Sequence, residues 1–309
     1  MNAHPSGASG IDADPENELS RREGVAGIDQ VPDLGMRQGG FVFSCHGVHV
    51  GFRTNLAEII DPVLERLPPG SQLDEDVEAE ATLTLVSLSE KELINNRYLL
   101  FYNNNIVAKN LDADSILELV EDLFRLEVSY WADDEHIFFH AGVVTHSGRA
   151  IVLPVRIGSG KTKLVSAMLD AGARYCSDEM AVIDSAGCVV PFPTPLALRR
   201  NGRNTKHRLS VVEGVVSRTP CRIGLVMMLR YDQALRSFRP RRLTTAQAVI
   251  ALLDHTVAAR RLPKRAMARC SQIFLSEPAF SGRRRDAAAT ALWILRFVES
   301  LPAGSPDVR

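Results

Sequence analysis

Residues 150–162 have the sequence AIVLPVRIGSGKT, in which a nearly all-apolar segment runs into a glycine-rich loop. The apolar part predicts a buried strand over residues 150–155. A helix is predicted from residue 161 to about residue 171. A strand, a glycine-rich loop and a helix in this order form the context that a phosphate-binding loop requires. The stretch therefore predicts a nucleotide site in an α/β fold.

The predicted phosphate chemistry lies in five consecutive residues, which are Gly158, Ser159, Gly160, Lys161 and Thr162. Glycines let the backbone curl so that N–H groups face phosphate oxygens, and the helix N-terminus adds a partial positive charge. Lys161 is expected to reach the β- and γ-phosphates, and the Thr162 hydroxyl is expected to bind Mg²⁺. Val155 stands where the full motif has a further glycine. The alternative is a Gly-Ser-Gly turn that happens to precede a lysine at a helix start.

An acidic pair, Asp178 and Glu179, follows the predicted loop helix and a short strand near Tyr175. In a parallel α/β unit this order places the pair at the carboxyl end of a neighbouring strand, beside the loop. One carboxylate can deprotonate an attacking hydroxyl while the other helps to hold Mg²⁺. Side chains alternate along an extended chain, so Asp178 is the predicted base and Glu179 the predicted metal ligand. The alternative is a solvated cap that opens a turn.

His140 precedes the loop strand in the segment His140-Ala141-Gly142. A lone histidine in a strand is usually a hydrogen-bonded core residue. Residues 1–39 are rich in Gly, Pro and acidic residues and are expected to be a disordered tail. Periodicity predicts a small α/β domain over residues 40–131 and a second domain, which carries the loop, over residues 136–302.

The composition narrows the class of protein. The chain has 309 residues, of which 45% are apolar and 24% charged, as in globular proteins with a sizeable core. The five cysteines show no CxxC spacing, which argues against zinc and disulfides and fits a reduced cytoplasm. The apolar runs are too short to span a bilayer, and the first 20 residues lack the apolar core of a secretory signal. A cytoplasmic protein without membrane association is expected.

The charge is distributed unevenly along the chain. Residues 1–150 hold 10 Lys and Arg against 26 Asp and Glu, whereas residues 151–309 hold 26 against 11. The basic half is expected either to meet an anionic partner or to attract the acidic half. Nucleic acid is not the expected partner, because the arginines near Pro240 lack interleaved aromatic residues beyond Phe238.

Taken together, the motifs resemble the HPr kinase/phosphorylase superfamily. The resemblance rests on His140-Ala141-Gly142, the segment Gly158 to Thr162, Ser177-Asp178-Glu179 and a proline-punctuated segment over residues 191–199. It is strongest over residues 140–199, and the shorter relatives associated with peptide or polysaccharide biosynthesis are the most similar. It implies a P-loop core related to phosphoenolpyruvate carboxykinase, with a small α/β domain before it.

The resemblance also implies roles for individual residues. Lys161 and the loop backbone match the phosphate cradle, and Thr162 matches the magnesium-binding residue. Asp178 matches the base that accepts a seryl proton, and Glu179 stands where a second aspartate is usual. His140 matches a histidine that lines the catalytic pocket. Homo-oligomers occur in the family.

The expected function is that of a kinase dependent on ATP and Mg²⁺ that transfers the γ-phosphoryl group to a hydroxyl, here a serine of a peptide or protein. Two alternatives stay open. One is a nucleotide-binding module without transfer chemistry, which acts as a regulator in a biosynthetic pathway. The other is a kinase for a small metabolite.

Overall fold

In the computed structural model, the chain divides into two units between Asp133 and Asp134. The mixed α/β fold expected from the sequence is confirmed, because each unit combines a β-sheet with helices. Gly158 and Ser159 lie outside the described residues, as does the predicted tail up to residue 38. The described residues are 39–87, 98–154, 160–200, 203–206, 215–275 and 277–302.

Among its described residues, the first unit contains a six-stranded sheet and two helices. Its strands are β1 (Gly39–Cys45), β2 (Val48–Thr54), β3 (Gln72–Asp74), β4 (Ala81–Val86), β5 (Tyr98–Tyr102) and β6 (Asn105–Leu111). Its helices are α1 (Ala57–Leu64) and α2 (Ala113–Trp131). The sheet order is β3-β1-β2-β4-β5-β6, in which β2 and β4 are parallel neighbours. Helix α2 packs the Phe124 ring edge-on against Phe43 and Phe52 of the sheet.

Local sequence signals predicted most helices and strands of the first unit, and the structure differs from the prediction at two of them. Asp112 caps α2 as the sequence allowed, since its carboxylate accepts the Ser115 N–H. The sequence predicts Asn55 as the cap of α1, because asparagine is a favoured capping residue. The residue before α1 is instead Leu56, and the Asn55 amide bonds the backbone of Ser87 in both directions, a tertiary contact that outweighs the local preference. The alternation of apolar residues predicts that the next strand starts at Val77, whereas β4 starts at Ala81.

The second unit contains ten strands and four helices among the residues that the structure describes. The strands are β7 (Ile137–His146), β8 (Arg149–Pro154), β9 (Arg174–Ser177), β10 (Met180–Ile183), β11 (Cys188–Val190), β12 (Ala197–Arg200), β13 (Arg203–Lys206), β14 (Cys221–Tyr231), β15 (Arg241–Arg242) and β16 (Ala279–Arg284). The helices are α3 (Lys161–Asp170), α4 (Thr245–Leu253), α5 (Pro263–Ile273) and α6 (Ala287–Ser300).

Helices cover both faces of the main sheet of this unit. The strand order is β11-β10-β7-β8-β14-β16-β15, and β9 also pairs with β7. Alternate strand residues point to opposite faces. Val143 and Val152 therefore pack into a cluster with α4 and α5, while Val144 and Ile151 pack into a cluster with α3 and α6. A further pairing between β11 and β14 closes five strands into a ring.

The candidate site lies at one edge of this sheet. Strands β8, β14 and β16 run parallel, so their carboxyl ends at Pro154, Tyr231 and Arg284 share an edge. Helix α3 begins at the same edge after Gly160, which has a φ of +79°. A left-handed backbone conformation of this kind favours glycine.

Three predictions in the second unit were inexact. The sequence predicts a helix over residues 245–260, whereas α4 ends at Leu253. The sequence does not predict strand β16, because Gly282 and two arginines interrupt the apolar alternation of this segment. The many Lys and Arg residues and the weak apolar pattern of residues 200–222 predict a loop, but this segment contains β13, which pairs with β12. In the part of the chain that the structure describes, no helix has both the length and the apolar character needed to cross a membrane.

Candidate active site

The acidic pair lies in a break between two strands, β9 and β10, which both pair with β7. Both pairings are antiparallel, and along β7 Ser177 lies opposite Val143 and Met180 opposite His140. The two residues between β9 and β10 are Asp178 and Glu179. Ala141 and Gly142 lie opposite the break, and the Ala141 N–H still donates to the Glu179 carbonyl at 3.2 Å. The pair follows a short strand as predicted. Its neighbour β7, however, is antiparallel to that strand, and the chain continues in the same line instead of turning away.

Ser177 stabilises the chain at this break through a hydrogen bond. Its hydroxyl oxygen accepts the Met180 N–H at 3.2 Å, at the point where β10 begins. Ser177 is 1% exposed and Met180 7% exposed, so this hydrogen bond gives a buried backbone donor a partner. The serine of the Ser-Asp-Glu motif therefore has a structural role that the sequence did not reveal.

Gly142 makes room for the lysine. A Cβ atom at Gly142 would lie 3.2 Å from Cγ of Lys161 and 2.9 Å from Cγ2 of Val165. The aliphatic part of the Lys161 side chain therefore lies directly over the glycine of β7. The sequence had drawn attention to this segment through His140, but the steric requirement belongs to Gly142.

Asp178 is the buried centre of the cluster. Its carboxylate is held by Thr162, whose Oγ1 donates to Oδ2 at 2.6 Å. Asp178 is only 2% exposed, and its other oxygen, Oδ1, accepts no hydrogen bond from any described residue. A buried oxygen of this kind costs free energy unless a ligand engages it.

Burial moves the cationic and anionic groups toward their neutral forms. It raises the pKa of Asp178 to about 6, although the nearby Lys161 and the Thr162 hydrogen bond act in the opposite direction. Burial likewise lowers the pKa of Lys161, against the attraction of Asp178 and Glu179. Shifted carboxyl and ammonium groups in direct proximity are typical of functional sites.

His140 lies on the same cluster. Its pKa is lowered by burial and by the positive charge of Lys161, while Glu179 acts to raise it. The lowered pKa keeps the imidazole neutral at neutral pH. The ring forms a hydrogen bond to the Glu179 backbone, so His140 supports the acidic turn.

Arg284 is a further cation at the site. Its guanidinium is 3% exposed and donates through Nη2 to the Gly160 carbonyl at 2.5 Å. The same group lies 5.9 Å from the centre of the Tyr231 ring. A Cβ on Gly160 would approach Nη2 to 2.7 Å, so position 160 requires glycine for its contact as well as for its φ angle. Arg284 lies 124 residues after Gly160 in the sequence. In the sequence, the three consecutive arginines at positions 283–285 indicate positive charge and no particular contact.

The structure thus brings together most of the predicted site residues: His140, Gly160, Lys161, Thr162, Asp178 and Glu179. Among the described residues, no group of three or more His, Cys, Asp or Glu side chains could hold a metal ion by itself. Magnesium in phosphoryl-transfer sites commonly takes one or two protein oxygens and completes its shell with phosphates and water. The Thr162 hydroxyl and the Glu179 carboxylate fit that donor set, and they leave Oδ1 of Asp178 free.

Fold and site together define a mixed α/β protein in which a lysine and a threonine at a helix N-terminus meet an acidic pair whose first member, Asp178, is buried. No protein-family model and no curated protein matches the chain. Among solved structures, the chain is similar to the Hpr(Ser) kinase/phosphatase from Coxiella burnetii. The identity is 12% over 52% of this chain and 88% of that chain, and the TM-score is 0.29. At these values the similarity is a distant one of fold.

Replacing Gly142 with alanine is expected to displace Lys161. The added methyl group would collide with the lysine stem and Val165, which should lower the free energy of unfolding by about 1–3 kcal/mol. It should also reduce the thermal stabilisation given by Mg-ATP. Gly224→Ala is the matched control, since a Cβ there would lie 2.7 Å from Arg149 instead. Equal loss of the Mg-ATP effect in both variants would contradict the role of Gly142.

Arg284→Gln is expected to loosen the start of α3. Loss of the charged donor to the partly buried Gly160 carbonyl should lower the free energy of unfolding by about 1–3 kcal/mol, measured by urea titration. Arg285→Gln is the control, because Arg285 is the exposed neighbour of Arg284 and should change stability by less than about 0.5 kcal/mol. A variant of Arg284 as stable as that control would show that the contact with Gly160 contributes nothing.

Proposed function

We propose that this protein is a kinase dependent on ATP and Mg²⁺ that transfers the γ-phosphoryl group to a hydroxyl, specifically a serine of a peptide or protein. The observation that carries the proposal is the buried Asp178, with one oxygen held by Thr162 and the other without a partner among the described residues. The proposal includes a phosphate-binding loop over residues 155–162 and a core of the HPr kinase and phosphoenolpyruvate carboxykinase type.

The start of α3 supplies the phosphate-binding groups. Backbone N–H groups in the first turn of a helix have no partner within the helix, and they attract anions. Lys161 extends from this turn over Gly142 toward the acidic pair. A lysine in this position neutralises the negative charge of the β- and γ-phosphates. Arg284 holds the Gly160 carbonyl and so keeps the end of the loop in place.

Thr162 and Glu179 would hold the magnesium ion, which supplies charge neutralisation for the phosphate oxygens when bound. Thr162 and Asp178 are already joined by a hydrogen bond, so the two oxygens are positioned before any ligand arrives. Positioning before binding reduces the reorganisation that the site must undergo.

Asp178 would act as the general base. With a pKa of about 6, its carboxylate is ionised at neutral pH but more basic than an ordinary aspartate. In the transfer, the serine oxygen forms a bond to the γ-phosphorus while the bond from that phosphorus to the bridging oxygen of ADP breaks. The hydroxyl proton passes to Asp178. His140, neutral and bound to the Glu179 backbone, keeps the acidic turn in place.

A nucleotide-binding module without transfer chemistry is the second candidate, favoured by Val155 in place of the first loop glycine. The two functions are separated by incubation with γ-labelled ATP and a library of serine-containing peptides, followed by mass spectrometry. The kinase predicts a phosphate on a serine and its loss in Asp178→Asn. The module predicts nucleotide binding without a modified peptide.

A further inference from the structure

Seven exposed arginines lie in β14, β15 and β16, in the segment between β14 and β15, and directly after β16. This surface is called the arginine edge, and it consists of Arg230, Arg236, Arg239, Arg241, Arg242, Arg283 and Arg285. The nucleotide site proposed above does not use any of these side chains. The sequence had shown a basic second half, and the structure shows where much of that charge gathers.

The arginine edge is continuous with the candidate active site. Tyr231 at the end of β14 pairs with Arg284 at the end of β16, and Arg284 bonds the Gly160 carbonyl. Strand β15 pairs antiparallel with β16, which places Arg241 opposite Ser281. A Cβ on Gly282 would lie 3.2 Å from Cα of Pro240, so the connecting segment packs directly on β16.

Few acidic residues lie near the arginine edge to neutralise its positive charge. Residues 230–242 and 283–286 contain eight arginines and two aspartates. Asp232 accepts the Ala234 N–H at 2.9 Å and pairs with Arg283 at 3.2 Å. Asp286 caps α6 by accepting the Ala289 N–H at 2.7 Å. Both carboxylates therefore have structural tasks, and most of the arginine charge faces solvent.

We propose that the arginine edge docks an acidic segment of the acceptor peptide or protein. The proposal rests on the kinase function proposed above and adds the chemical class of its substrate. Guanidinium groups bind carboxylates through two parallel hydrogen bonds, and a positive surface beside an active site speeds the encounter with an acidic partner. Acidic residues near the target serine would hold it at the phosphate-binding edge.

A protein partner fits this surface better than a nucleic acid does. Binding of single strands combines cationic side chains with open aromatic faces on which bases stack. The aromatic rings near the edge do not form a row of open faces: Trp293 stacks on Phe297 and meets Phe238 edge-on. Tyr231, which is 52% exposed, has Arg284 on one side.

Fluorescence anisotropy of labelled peptides tests the proposal without requiring phosphoryl transfer. Serine-centred peptides of about 15 residues with acidic, neutral or basic flanks, and a uridine oligonucleotide, are titrated with the full chain at about 30 mM and about 300 mM salt. At low salt we expect the acidic peptide to bind at least about tenfold more tightly than the neutral one. The affinity for the acidic peptide should fall at high salt.

Charge reversal locates the binding. Two double variants are measured independently: Arg236→Glu/Arg239→Glu and Arg241→Glu/Arg242→Glu. Each should lower the affinity for the acidic peptide by about tenfold. Arg174→Glu/Arg218→Glu is the matched control, because both residues are exposed and lie outside the edge. The proposal would be overturned if the control lowered the affinity for the acidic peptide as much as the edge variants do, or if the acidic and neutral peptides bound with equal affinity. It would also be overturned if the oligonucleotide bound more tightly than the acidic peptide and did so through the arginine edge.

The labelled-ATP assay separates this proposal from the function on which it rests. Edge-dependent binding of acidic peptides without any transfer of phosphate supports the docking surface and contradicts the kinase. Transfer to acidic and neutral peptides with equal kcat/KM supports the kinase and contradicts the docking surface.

Discussion

Asp178→Asn is expected to lower phosphoryl transfer by about 10²–10⁴-fold, the usual contribution of a general base. Asparagine has the size of aspartate and keeps an oxygen that can accept the Thr162 hydrogen bond, but it cannot accept the serine proton. Wild-type kcat/KM should rise with pH around the carboxyl pKa of about 6, and this dependence should be absent from the residual activity of the variant. The measurement is a pH series of initial rates with labelled ATP.

The same substitution is expected to stabilise the folded protein at neutral pH. The pKa of Asp178 rises from its ordinary value of 3.8 to about 6 on folding, so the folded protein binds the proton more tightly than the unfolded chain. The resulting stabilisation is complete below about pH 4 and is lost as the pH rises through about 6. Asparagine carries no charge to desolvate, so the variant should gain about 1–3 kcal/mol near pH 8 and little near pH 4.

Opposite effects on activity and stability would mark Asp178 as a residue retained for function. Glu179→Gln is the control, because Glu179 is partly exposed; it should weaken the dependence of transfer on Mg²⁺ and lack the gain in stability. Transfer by Asp178→Asn at the wild-type rate would place the base elsewhere. A variant less stable than wild type at pH 8 would show that the carboxylate is well compensated in the folded state.

Lys161→Ala is expected to abolish stabilisation by nucleotide. Mg-ATP at about 100 times its Kd should stabilise the wild type by about 2.7 kcal/mol, which is a rise of roughly 5–10 °C in Tm. The variant loses the ammonium that would pair with the phosphates and should show almost no shift. Differential scanning fluorimetry at several nucleotide concentrations provides the measurement.

Lys163→Ala is the matched control for this prediction, because Lys163 lies two residues further along α3 and is exposed. It should respond to Mg-ATP as the wild type does. Equal shifts in the wild type and in Lys161→Ala would contradict the assignment of a phosphate-binding loop at the start of α3. The melting curve without nucleotide shows in the same experiment whether each variant folds.

The chemistry-bearing segments could be predicted because their signals are local. The apolar runs in β7 and β8, the glycine before Lys161 and the cap at Asp112 each act within a few residues. Local propensities therefore predicted the strand, the helix start and the neighbourhood of the acidic pair. They could not predict β16, since its sequence is weakly apolar and its strand conformation depends on pairing with β14 and β15.

The sequence by itself determined which residue types meet which chain elements: a lysine and a threonine at a helix start, an acidic pair after a short strand, and a histidine and a glycine in the preceding strand. The tertiary structure alone decided that Gly142 makes room for Lys161, that Ser177 closes the break in the strand line, and that Arg284 holds Gly160 from 124 residues away. These contacts depend on sheet order and on the space between packed layers. No local propensity encodes either quantity, because both arise only when distant segments pair.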